Sequence, residues 1–340
     1  MVAKLRALVP CIFLLVGGCA SQAPSPEVGA YTSVDREFAE PVYQDFKRVT
    51  GINVVPTFDT GATRSAGLAA QIMEENGQPH ADVYWNGEIL QTLRLDERGL
   101  LDEYPLPSDE TLPEMYRSPR GTWHVLGARA RVLLVNTEVT KDDQLPRSIR
   151  DLVDGRFRGR AGMARPITGT SAMHAACLFA AWGQDRAEQF FLEIKDNHVH
   201  IMGSNKQVAV AVGAGQLAFG LTDSDDAIAE IDRLMPVAIV YPDQGDGQLG
   251  TLFIPNTVSV LKGARHPQAA RRLVSFILSP AVETQLAQSS SAQIPLRPGV
   301  ESVSRLQVPE RVRRMQVDFG EAAQMWEANE EFLRKEFNGR

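Results

Sequence analysis

The chain is short of cysteine, of basic excess and of long apolar runs, and each shortage excludes something. Three cysteines in 340 residues rule out a disulfide-stapled scaffold, which needs several pairs. Lys and Arg number 35 against 42 Asp and Glu, without a basic cluster, so the footprint of a nucleic-acid binder is missing. The apolar run from Ala7 to Val16 spans ten residues, too few to cross a bilayer, for which about 20 are needed. The longest uncharged stretch elsewhere, Gln207 to Thr222, holds three glycines and is no membrane span. Apolar content of 44% without low-complexity tracts argues against disorder. There is no Gly-x-Ser-x-Gly elbow, no phosphate P-loop and no paired-cysteine zinc spacing. What remains is an acidic globular chain long enough for two domains.

Its first residues are expected to be a targeting segment. Lys4 and Arg6 precede the apolar run, and Val16-Gly17-Gly18-Cys19 follows it. Small residues before a cysteine read as a bacterial lipoprotein signal over 1–18, cut before Cys19, whose thiol then carries lipid. Residues 19–27, rich in Ser, Pro and Ala, read as a tether. Cleavage removes Cys11 and lipidation occupies Cys19, so Cys177 in the apolar run Ala175 to Trp182 is left as a buried, inert thiol.

From Val28 onward the hydrophobic period alternates between two and 3.6. Val28 to Val34 reads as a strand; Phe38, Val42, Phe46 and Val49 recur at helical spacing up to Gly51. Ile52 to Phe58 and Ala81 to Trp85 read as strands separated by a helix containing Leu68 and Ile72. Strand–helix alternation argues for parallel pairing with helices on both faces. Val125 to Asn136 and Thr251 to Leu261 are long for single strands, which suggests two lobes joined by strands that cross between them. The charged tail from Glu310 reads as one or two surface helices.

An ordered set of segments then carries a resemblance. Tyr31-Thr32-Ser33, Val49-Thr50-Gly51-Ile52-Asn53-Val54, Ala81-Asp82-Val83-Tyr84-Trp85-Asn86, Gly99-Leu100-Leu101, Asp151-Leu152, Ser204-Asn205 and Ser291 to Pro295 resemble solute-binding proteins of ABC importers, the ferric-iron-binding type above all. The resemblance covers nearly the whole chain after residue 27. It implies an α/β, two-lobed periplasmic-binding-protein-like fold, with two mixed or parallel sheets, flanking helices and hinge strands. The lobes are expected at 28–126 with 254–300, and at 127–253 with 301–340. It also implies a monomer in the periplasm or cell envelope that hands a small-molecule solute to a membrane ABC permease, with no resident cofactor and no catalytic residue. A sensor role for the same binding event stays open, as does an enzyme on the same fold.

The sequence departs from that family at the iron site. Iron-binding members use two adjacent tyrosines, a histidine and a glutamate; here Gly220-Leu221-Thr222 is followed by Asp223-Ser224-Asp225-Asp226, and Asp35 stands near the histidine's place. A tyrosinate iron site is therefore absent, although a ferric carrier with a non-tyrosine site remains an alternative. Thr168-Gly169-Thr170-Ser171 and Asn205 match positions where the family holds an anion at helix N-termini, where free N–H groups and the helix dipole favour negative charge. The ligand-binding set expected is Ser33, Thr60, Gly61, Asn86, Gly169, Thr170, Ser171, Asn205, Asp223, Asp225 and Asp226. Carboxylates repel a phosphate, so the three acids are expected to meet hydroxyls, an amine or a metal ion. A plain N-cap role competes at Thr170, Ser171, Asn205 and the aspartates. His198 and His200 alternate as on one face of a strand, a weak metal pair, and Asp243 to Gln248 has a calcium-loop look but Ile254 where the ligating glutamate belongs.

Overall fold

The computed structural model describes residues 26–59, 66–141, 145–298, 300 and 304–338. The proposed signal, Cys19, Thr60, Gly61 and Arg64 lie outside these. In chain order the elements are β1 (Glu27–Thr32), α1 (Arg36–Thr50), β2 (Asn53–Phe58), α2 (Ala66–Glu75), β3 (Val83–Asn86), α3 (Leu90–Glu97) and β4 (His124–Asn136). Then come β5 (Ala161–Ala164), α4 (Gly169–Trp182), α5 (Gln184–Asp196), β6 (His200–Met202), α6 (Asn205–Gly213), β7 (Phe219–Asp223) and α7 (Ser224–Asp232). The chain closes with β8 (Val237–Val240), β9 (Phe253–Val260), α8 (Pro267–Ile277), α9 (Pro280–Gln288) and α10 (Phe319–Phe337). No helix of the described residues is long and apolar enough to cross a membrane.

Strand order is β2-β1-β3-β9-β4-β7-β5-β6, with β8 also paired to β4. The two halves share β4. His124 to Ala130 runs antiparallel to β9, and Arg131 to Val135 runs antiparallel to β7. Parallel pairs β1–β2 and β1–β3 complete one half, and parallel pairs β7–β5 and β5–β6 complete the other. The central strands β3, β4 and β9 are buried along their whole length, apart from the half-buried Arg129 of β4, which is why they show no strict alternation of buried and exposed residues.

Each half has its own apolar packing. In the first, Val28, Ala30, Val42, Phe46, Val83, Val258, Leu273 and Ile277 bring α1 and α8 onto the sheet. In the second, Val132, Leu134, Val212, Leu217 and Ala227 set α6 and α7 against β4. The largest cluster joins α4 and α5 to α10 through Phe179, Phe191, Trp326 and Phe337. Helix α5 was not foreseen, although Ala187, Phe190, Phe191 and Ile194 recur at helical spacing.

The charged tail forms one amphipathic helix. α10 buries Phe319, Ala322, Ala323, Trp326, Leu333 and Phe337 against α3 and α4, because these residues share one stripe within a charge-rich segment. Two other expectations are also settled. His198 precedes β6 in a positive-φ turn (53°) and its Nε2 meets Arg158 Nη2 at 2.8 Å, while His200 Nε2 faces the Gly159 carbonyl at 3.1 Å. They do not form a strand-borne metal pair. The Asp243–Gln248 loop wraps a guanidinium: Arg313 Nη2 donates to the carbonyls of Asp243, Gly245 and Gln248 at 3.0, 2.7 and 2.8 Å. Cys177 is fully buried and unpaired, and burial pushes its thiol up, as an inert core residue requires.

Candidate functional site

A cleft of about 560 Å³ opens between the two halves of the sheet. Its walls combine Ser33, Asp35, Phe38 and Glu88 from one half with Arg165, Thr168 to Ser171, Ser204 to Gln207, Asp223, Asp225 and Asp226 from the other. Arg129, Asn256 and Gln293 line it where the strands cross. The volume suits a small solute.

Three helices of the second half begin at this cleft: α4 after Thr168, α6 after Ser204 and α7 after Asp223. The chain folds this way because β5, β6 and β7 each deliver the backbone to the same sheet edge before a helix starts, the usual place for ligands in α/β folds. Ser204 caps α6 by accepting from the Gln207 N–H at 3.2 Å. Thr168 makes no such side-chain bond at the start of α4, where Gly169 takes a φ of 57°. The first N–H groups of α4 are thus left to the cleft.

Beneath this surface lies a buried polar network. Arg131 and Asp223 are register partners on β4 and β7 and pair through Nη1 and Oδ1 at 2.6 Å. The same Nη1 donates to Asn205 Oδ1 at 3.0 Å, and Arg131 Nε donates to His174 Nδ1 at 3.4 Å. The other Asp223 oxygen accepts from the Thr170 hydroxyl at 2.6 Å and from Asn205 Nδ2 at 2.9 Å. Ser171 Oγ reaches Asn205 Oδ1 at 3.2 Å. Burial, with help from the Arg131 charge, holds His174 well below the usual histidine range. It is neutral at physiological pH and accepts at Nδ1.

Asp223, Thr170, Ser171 and Asn205 are therefore brought together as expected, but by bonds to one another. Asp223 is spent on Arg131, Thr170 and Asn205, so it positions those residues. Asp225 faces the cleft beside Arg129, whose Nε lies 3.3 Å from Asp225 Oδ2. Burial is the main force that pushes the Asp225 carboxyl up; Arg129 opposes it and Asp223 adds to it. For Arg129 burial disfavours the charge, yet Asp225, Asp223, Asp226 and Asp35 hold the guanidinium above its ordinary value. One oxygen each from Asp223, Asp225 and Asp226 lies within 4.8 Å of the others.

On the opposite wall Ser33 Oγ donates to Asn86 Oδ1 at 2.5 Å and accepts from the Gly87 N–H at 2.9 Å. Asn86 itself is fully buried, with Nδ2 directed to the Glu88 carbonyl at 2.6 Å. It stands behind the cleft wall because the β3 end turns inward before α3. Glu88 caps α3, accepting from the Leu90 and Gln91 N–H groups. Sequence reasoning missed Arg129 and Arg131. The signal was available, since two arginines two apart inside an otherwise apolar thirteen-residue strand share one face. No tyrosine is among the described residues that line the cleft.

A cleft closed between two α/β lobes that share crossing strands defines a solute-binding protein of the periplasmic type. The chain belongs to the family of bacterial extracellular solute-binding proteins, whose model matches residues 92–323, and it is of the ferric-iron-binding type within the binding proteins of ABC importers. It is similar to the major ferric iron-binding protein of Neisseria meningitidis, at 24% identity over 87% of this chain and 91% of that one. It also resembles a putative 2-aminoethylphosphonate-binding periplasmic protein of Salmonella typhi, at 22% identity over 75% of this chain and 73% of that protein. Among solved structures, iron-bound HitA from Pseudomonas aeruginosa superposes with a TM-score of 0.80, at 25% identity, over 91% of this chain and 99% of HitA.

Proposed function

We propose that this protein captures a small anionic solute bearing a hydroxyl or amino group, such as a sugar phosphate or an aminoalkyl phosphonate, and passes it to an ABC permease. The observation that carries this reading is the N-terminus of α4, without a side-chain cap, in the same cleft as two aspartates at the start of α7, the two helix starts being joined by the Thr170–Asp223 hydrogen bond. The anionic group sits on the N–H groups of Gly169 to Ser171, with Ser171 and Asn205 at its side. Arg129, Arg165 and Lys206 on the cleft wall add attraction. Asp225 and Asp226 take the other end, because an ionised carboxylate accepts hydrogen bonds only. The name of the Salmonella relative, an aminophosphonate binder, agrees with a ligand of two unlike ends.

We assign no catalytic residue. The lobes are drawn at 28–126 with 254–300 and at 127–253 with 301–340. Support comes from the handover of β4 between β9 and β7 and from the packing of α10 chiefly on α4.

Isothermal calorimetry with sugar phosphates and aminoalkyl phosphonates tests the site. Ser171→Ala and Asp225→Asn are each expected to weaken the compound that binds about ten- to a hundred-fold, the worth of a hydrogen bond to a charged group. Wild-type affinity in both variants rejects the site. Ferric ion titrated alongside is expected to give no visible tyrosinate band, since Asp223-Ser224-Asp225-Asp226 after Gly220-Leu221-Thr222 holds no tyrosine and none is among the described residues lining the cleft.

The protein is further proposed to be held to a membrane by lipid on Cys19. Cys19→Ser should release it into the soluble fraction or leave the signal uncut, whereas Cys11→Ser should leave the mature product unchanged. Detergent-phase partitioning of the Cys19 variant equal to wild type would rule out the anchor.

A further inference from the structure

Gly87 lines the cleft between the end of β3 and the start of α3, and neither backbone geometry nor packing asks for a glycine there. Its φ lies outside the left-handed region. A Cβ added to it would meet Arg129 Nη2 at 3.4 Å, Ser33 Oγ at 3.6 Å and Asn256 Oδ1 at 3.8 Å, which is ordinary contact. At Gly29 and Gly220, by contrast, a Cβ would lie 2.9 Å from Ala81 Cα and 2.3 Å from Val208 Cγ1, so close packing excludes it. The missing side chain at Gly87 therefore leaves a notch in the cleft wall. Three polar atoms border it, one from the end of β1, one from β4 and one from β9.

The bonds these atoms already make decide what the notch can take. Ser33 Oγ donates its hydrogen to Asn86 Oδ1 and accepts from the Gly87 N–H, which among the described residues leaves it one lone pair. Asn256 Oδ1 accepts from Arg129 Nη2 at 3.3 Å and keeps its second lone pair. The Asn256 amide nitrogen is turned away, to Gln293 Oε1 at 2.6 Å and the Gly127 carbonyl at 3.4 Å. Arg129 Nη2 carries two hydrogens, of which Asn256 takes one. One charged donor and two acceptor oxygens thus face the notch. A carboxylate there would meet two oxygens that have no hydrogen left for it. An ammonium would meet the like charge of the guanidinium. A hydroxyl suits all three atoms, because it accepts and donates at once.

We infer that the notch over Gly87 is the subsite for a hydroxyl of the solute, with Gly87 as the residue that sets this specificity. The inference rests on the anion reading of the cleft given above and narrows it from two chemical classes to one, sugar or polyol phosphates over aminoalkyl phosphonates. The hydroxyl accepts from Arg129 Nη2 and donates to Ser33 Oγ or Asn256 Oδ1. Asp225, whose charge is already met by Arg129 at 3.3 Å, takes further hydroxyls as an acceptor. An analogue that lacks the hydroxyl leaves these buried polar groups unmatched, which is the strong form of discrimination.

Calorimetry with hexose, pentose and glycerol phosphates, each beside its singly deoxygenated and amino-substituted counterparts, tests the subsite. In the wild type, loss of one hydroxyl from the best-bound compound is expected to weaken binding by about tenfold or more. An amino group at that same carbon should weaken it at least as much. Gly87→Ala fills the notch with a methyl and should bring the ratio of hydroxyl to deoxy affinity at that carbon to near one. Its melting temperature should be at or above wild type, because alanine restricts the unfolded chain. Ser171→Ala should instead weaken all the compounds alike and keep the ratio. The subsite is overturned, with the anion site left standing, by any of three results: no hydroxyl whose loss costs tenfold, an amino compound bound more tightly than its hydroxyl parent, or a ratio unchanged in folded Gly87→Ala. Failure of every phosphate and aminoalkyl phosphonate to bind the wild type rejects the functional reading, and the subsite with it. Should Gly87→Ala fail to fold, the order of hydroxyl, deoxy and amino affinities in the wild type decides alone.

Discussion

Replacing Arg131 with methionine is expected to cost about 3–5 kcal/mol of stability, the usual result of stranding one partner of a buried ion pair. Arg131 and Asp223 have side chains only 1% and 5% exposed and stand opposite each other in the β4–β7 register. Without the guanidinium, the Asp223 charge keeps only the Thr170 hydroxyl and the Asn205 amide. Those bonds do not offset desolvation of a full charge. A double variant, Arg131→Met with Asp223→Asn, removes the stranded charge and keeps the acceptor oxygen, so it should recover a large part of the loss. Urea unfolding of the four proteins of this cycle gives the coupling directly. Equal destabilisation of the single and double variants would mean that packing around Arg131, and not the pairing, is what matters. Solute binding should fall in the single variant too, because Thr170, Ser171 and Asn205 are held in place through Arg131 and Asp223.

The second large effect is expected at Trp326. Its side chain is 1% exposed and sits in the cluster that joins α10 to α4 and α3. Trp326→Ala removes a large ring from a packed core and should destabilise by about 3–5 kcal/mol. Trp326→Phe should cost much less, since the indole Nε1–H finds no hydrogen-bond partner and its loss removes a buried, unmatched donor. Thermal unfolding of both variants checks the order. A phenylalanine variant as unstable as the alanine one would show that the full indole shape is required. The ion pairs Arg94–Glu327 and Lys195–Glu336 also tie α10 to α3 and α5, but pairs still in reach of solvent contribute less than the ring.

Local pattern and composition decided a good deal about this protein. Helices α1 and α2 and strands β1, β2, β3, β4 and β9 were legible because burial on one or both faces imposes a pattern on the residues themselves. Absences were legible as well: no adjacent tyrosines follow Gly220-Leu221-Thr222, where the resemblance leads one to expect them. Helix α5 was missed although Ala187, Phe190, Phe191 and Ile194 fall at helical spacing, and only the partner face of α4 shows how deeply Trp326 and Phe337 of α10 are buried. The tertiary structure alone decided which polar groups are spoken for. Asp223 looks like a ligand contact in sequence, yet register places it opposite Arg131 and two helix starts complete its bonds. Asn86 is turned behind the cleft wall by the end of β3. Arg129 became a cleft residue only when β4 crossed between the halves. Hydrogen bonds and charges depend on distances of a few ångströms between residues as far apart as Gly127 and Glu283, and only packing sets those distances.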